Sequence, residues 1–169
     1  NLTGLGMAQH SLGNFNGAVA AFRRALELAQ ADHRLRMASI VMLNLASCYR
    51  QLGDITRAGA LYQEVLHIRQ AIGDHVGAGT THFSLGITMH TVGNLAAARF
   101  HLNRACHILH EAADLQYECQ VLSNLALLWH HLDDHEAALG YGVQGLRIAE
   151  EIGFHMYFSQ AYTYLGHIQ

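Results

Sequence analysis

The chain repeats itself at a step of forty residues without slippage. The turn Leu12-Gly13-Asn14 returns as Leu52-Gly53-Asp54, Val92-Gly93-Asn94 and Leu132-Asp133-Asp134. A large apolar residue followed by a very small one keeps the same step as Leu5-Gly6, Leu45-Ala46, Leu85-Gly86, Leu125-Ala126 and Leu165-Gly166. An alanine follows each turn as Ala18, Ala58, Ala98 and Ala138. Self-similarity at a fixed period marks a stacked array, in which no unit buries its apolar faces alone and stability accumulates between neighbours. One continuous solenoid is therefore expected over 1–169, with repeats at about 33–73, 74–113 and 114–153 and partial ones at 1–32 and 154–169.

The periodic residues read as helices. After each turn, apolar side chains recur at three- and four-residue spacing, as in Ala18, Phe22, Ala25 and Leu26, or Ala58, Leu61, Tyr62 and Val65. Asn14, Asp54 and Asp114 stand where a helix N-cap is wanted, and Gly73-Asp74 reads as a stop followed by a start. The chain has no proline, which long unbroken helices permit. About nine helices in antiparallel pairs are expected, the last over Met156–Gln169, with no strand: an all-α fold. Trp129 is the largest residue at its place in the repeat, and its ring is expected to fill the space left by Gly142, where other copies have Phe22, Tyr62 and Leu102.

With 51% hydrophobic and 14% charged residues there is ample material for a continuous core. The formal charge of −3 comes from acids and arginines scattered along the chain, without the basic stripe of a nucleic-acid binder. No apolar run reaches the length of a membrane span. Cys48, Cys106 and Cys119, odd in number and without metal-type spacing, read as reduced core thiols of a cytoplasmic protein. Because the chain opens and closes in mid-repeat, it reads as a fragment of a longer array, whose open ends would favour self-association.

The Leu-Gly or Leu-Ala pair, the aromatic at Tyr49 or Trp129, Ala58, the aromatic at Phe22 or Tyr62 and the small residue at Ala25 or Ala105 resemble the tetratricopeptide repeat. The resemblance implies an α-solenoid, a right-handed superhelix of antiparallel helix pairs whose first helices line a concave groove. The usual repeat is about six residues shorter and carries a proline. A forty-residue, proline-free version is similar to the arrays of bacterial MalT-like signal-transduction ATPases and of LGN-like scaffolds. The absence of lysine points to a bacterial source.

By repeat register, the groove face comprises Asn44, Ser47, Arg50 and Gln51; Phe83, Ser84, Ile87 and His90; Asn124, Leu127, His130 and His131; and Tyr164 and His167. These are mostly neutral hydrogen-bonding groups with a few apolar ones, a mixture suited to a peptide whose backbone needs partners. Some members of the family hold a C-terminal carboxylate with lysines and asparagines here. Asn44 and Asn124 match the asparagine, but the lysines are missing, so that clamp is not expected.

His10, Arg50, His90 and His130 keep one place in four copies, a row that would make binding sensitive to pH. Zinc needs three or four converging ligands at suitable spacing. No such set stands out, so no metal or other cofactor is expected; His131, Asp134 and His135 come nearest. No phosphate loop, nucleophile elbow or paired carboxylate suggests an enzyme. The expectation is a scaffold for protein or peptide partners, the sensor or assembly region of a larger bacterial regulator. The alternative is a small-molecule sensor domain of a MalT-like ATPase.

Overall fold

A computed structural model describes residues 1–154. Among them are eight helices and no strand: α1 (Leu2–Ser11), α2 (Phe15–Ala31), α3 (Leu35–Gln51), α4 (Ile55–Ala71), α5 (His75–Thr91), α6 (Leu95–Glu111), α7 (Leu115–His131) and α8 (His135–Glu151). The ninth helix expected at Met156–Gln169 lies outside the described residues, as do Tyr164 and His167.

From α2 onward every helix has 17 residues and every link three, so the forty-residue step divides into two equal halves. Each link contains one residue in the left-handed region. Glycine takes that position at Gly13, Gly53, Gly73, Gly93 and Gly153, while His33 (φ 55°), Ala113 (φ 54°) and Asp133 (φ 59°) take it without glycine's freedom. The residue after it caps the next helix. Asn14, Asp54, Asn94, Asp114 and Asp134 each accept a hydrogen bond from a backbone N–H in the first turn, and Asp74 accepts from the Gly77 N–H at 3.0 Å. Arg34 makes no such bond.

The described chain divides into two compact units, Asn1–Ser84 and Leu85–Gln169, with the boundary inside α5. In the first unit α2 packs on α1 and α3, and α3 packs on α4. Its core holds Phe22, Val41, Met42, Tyr62 and Val65 around fully buried Ala18, Ala46 and Ala58. Next to it, Leu5 and Met7 of α1 and Leu12 of the following link are exposed. In the second unit α7 packs on α6 and α8, and Leu85, Leu102, Leu109, Leu122, Leu125 and Leu128 are buried around Ala98 and Ala138.

The small residues of the repeat are explained by what they touch. A β-carbon on Gly6 would stand 2.6 Å from the Phe22 ring, and one on Gly86 would stand 2.7 Å from the Leu102 side chain and 3.2 Å from its backbone nitrogen. The large residue of the second helix thus sits over the small residue of the first. At the fourth copy the corresponding residues are Ala126 and Gly142, both small and both buried. The Trp129 ring is half-buried and lies against Arg99, whose guanidinium carbon is 5.8 Å from the ring centroid.

Two substitutions check this account by urea denaturation. Gly86→Val should destabilise by about 2–3 kcal/mol, since overpacking displaces Leu102. Ala113→Gly, which relieves a left-handed non-glycine residue, should stabilise by up to about 1 kcal/mol.

Candidate functional site

The face of the first helices expected to bind is present in part. On α3, Asn44, Ser47 and Arg50 are half-buried and Gln51 is exposed. On α5, Ser84, Ile87 and His90 are half-buried; on α7, Asn124, Leu127 and His130 are half-buried and His131 is exposed. Phe83 is the correction. It is 9% exposed and belongs to the core, as does Ser123 at the same place in the next copy. A large helical side chain folds back over the preceding turn, and an aromatic ring gains more from packing than from facing water.

Several polar groups of this face are already engaged on their own helix. The Ser84 hydroxyl donates to the Thr80 carbonyl at 3.1 Å, Thr91 to Ile87 at 2.9 Å, and the Asn124 amide to Gln120 at 2.9 Å. Arg50 lies near the buried Tyr62. Burial raises the Tyr62 pKa, and the Arg50 charge with the proximity of Arg50 and Ser47 to its hydroxyl opposes the rise. Tyr62 reads in the sequence as core, and its place near Arg50 shows only in three dimensions.

The histidine row is not a row of mutual neighbours. Two of its members, His10 and His90, lean instead toward the first helix of the following repeat. His10 Nε2 lies 3.4 Å from the Ser47 hydroxyl, and His90 Nε2 lies 2.7 Å from His131 Nδ1, with ring centroids 4.9 Å apart. His130 stands beside that pair, 6.0 Å from His131 and 5.3 Å from His135 between ring centroids. A hydrogen bond between two imidazoles needs one of them to lack the proton it accepts. Burial, and secondarily His131, hold the His90 pKa below its ordinary value. Among the described residues no three histidine, cysteine or acidic side chains converge as a metal site, His131, Asp134 and His135 included.

Three family models, each described as tetratricopeptide repeat, match residues 37–111, 2–32 and 120–140. The chain belongs to the tetratricopeptide-repeat family. No curated protein sequence matches it significantly. Among solved structures it is similar to aspartyl phosphate phosphatase F from Bacillus subtilis (15% identity, TM-score 0.91, covering 96% of this chain and 43% of that one). It is also similar to a Rap protein complexed with competence and sporulation factor (14%, TM-score 0.89, 95% and 45%). A third is the signal transduction ATPase with numerous domains from Pyrococcus horikoshii, which carries a tetratricopeptide-repeat sensor (15%, TM-score 0.78, 91% and 24%). At such identities the likeness establishes the fold, a tetratricopeptide-like α-solenoid. The chain spans less than half the length of each of these three structures.

Because His90 holds its proton less firmly when folded, its contribution to stability is complete above the ordinary value of 6.5 and is lost as pH falls below it. The urea midpoint should therefore drop between about pH 7.5 and 5.5. His131→Asn removes the second cause but leaves the burial, so its pH profile should be flatter than the wild type's yet not flat.

Proposed function

We propose that this tetratricopeptide array binds a peptide segment of a protein partner along the outward face of its first helices. It would act as the non-catalytic sensor or assembly region of a larger cytoplasmic regulator. The reading takes 1–169 as one continuous array and involves neither nucleic acid nor membrane. The observation that carries it is the character of that face: half-buried, mostly uncharged side chains on α3, α5 and α7. A surface of this kind offers donors and acceptors to a peptide backbone, and shallow apolar contact through Ile87 and Leu127. A Rap protein of the same fold is known in complex with competence and sporulation factor, which supports a peptide as ligand.

A second reading is a small-molecule sensor, favoured by the tetratricopeptide-repeat sensor of the Pyrococcus horikoshii ATPase. Panning a random-peptide library on the immobilised chain separates the two. The first reading expects enriched peptides whose affinity falls about 2- to 12-fold in Asn44→Ala and in Asn124→Ala, the effect of one hydrogen bond each. A chain that enriches no peptide but binds a sugar such as maltotriose in calorimetry would replace the first reading with the second.

A further inference from the structure

Two repeats place an alanine, Ala38 or Ala78, where the second helix of one pair meets the first helix of the next; the following repeat has Glu118. Its side chain is no less buried, at 2% exposure against 4% and 5%. Stripping a carboxylate of water is costly unless its oxygens find donors and its charge finds a partner. Glu118 is half provided for. Oε1 lies 2.9 Å from His110 Nδ1, but Oε2 is buried with no hydrogen-bond partner.

Arg69 is more richly provided for. It too occupies an apolar place, that of Ala29, Leu109 and Ala149, and is 4% exposed. Its Nη1 donates to the Gly77 carbonyl at 2.6 Å and to the hydroxyls of Thr80 and Thr81 at 2.9 and 3.2 Å. The chain has nothing comparable around Glu118. Instead two thiols stand nearby, and burial first and the Glu118 charge second raise the pKa of Cys106 and push that of Cys119 up to about 11. Both stay protonated and neutral, so neither adds to the negative charge.

The Glu118 side chain lines a cavity of about 310 Å³ between α6, α7 and α8, walled by Cys106, His110, Leu125, Tyr141 and Gln144. That is the low end of the size range of ligand pockets, room for a side-chain-sized group. An unmatched buried carboxylate asks for a cation. With no three metal-ligating side chains converging among the described residues, an organic cation suits it better than a metal ion.

We propose that this cavity binds an alkylammonium group, carried by a free amine or by the lysine side chain of a partner. The ammonium donates to the Glu118 carboxylate and the aliphatic stem lies against Leu125 and Tyr141. The His110 side chain, 71% exposed, is the wall that moves to admit it. No residue of the cavity belongs to the face proposed to bind peptide, so this site stands or falls independently of that function.

Calorimetric titration of the whole chain with butylammonium chloride, and separately with N-acetyl-lysine amide, tests the proposal. Saturable binding of at least one is expected, weakened more than about tenfold in Glu118→Gln and in Glu118→Ala. Binding of the lysine amide alone assigns the site to a partner's lysine, and of butylammonium alone to a free amine. Glu118→Ala restores the residue of two other repeats and should fold with an unchanged or higher Tm. The proposal is overturned if neither amine binds, or if binding survives both substitutions. It is equally overturned if Glu118→Ala lowers Tm by more than about 5 °C, which would make the carboxylate structural, or if Zn²⁺ binds through Cys106 where the amines do not.

Discussion

The three-residue link governs this molecule. A helix that ends, passes one residue through the left-handed region and begins again under an Asn or Asp cap must reverse within a few ångströms, so its successor lies antiparallel beside it. Repeated every twenty residues, the link makes the helices from α2 onward equal in length and in register. A longer or proline-stiffened connection would let the register drift. The absence of proline is thus consistent with the step of forty being free of slippage.

Equal, adjacent helices then have to approach closely, and the small residues follow from that. Gly6 under Phe22 and Gly86 under Leu102 are one arrangement made twice, with bulk supplied by one helix and space by the other. Core places in such an array are strongly specified, since a side chain there meets two neighbours at once. A charge at such a place therefore carries information. One nitrogen of Arg69 is held by the first turns of α5 through three hydrogen bonds; Glu118 has the exposed His110 on one oxygen, and its other oxygen is buried with no partner.

The face proposed to bind is what remains when these demands are met. Many of its residues are already engaged: Ser84, Thr91 and Asn124 on their own helix, Arg50 near Tyr62 on α4, and His90 with His131 on α7. What this face offers a ligand is a partly pre-arranged surface, with fewer side chains to order on binding than its composition suggests.

By itself the sequence determined the repeat, the all-α class and most of the caps. All of these are local: an Asp before a helix, a glycine after one and apolar residues at helical spacing act over a few bonds. The same local reading put the expected binding face on α3, α5 and α7, where Asn44, Ser47, Ile87 and Leu127 are half-buried. It placed Phe83 on that face, and the tertiary structure decided otherwise. How far one helix is rotated against the next is set by packing between repeats, which no short window of sequence contains. For the same reason only the fold could bring His90 to His131, set Tyr62 near Arg50, and leave one oxygen of Glu118 buried without a partner.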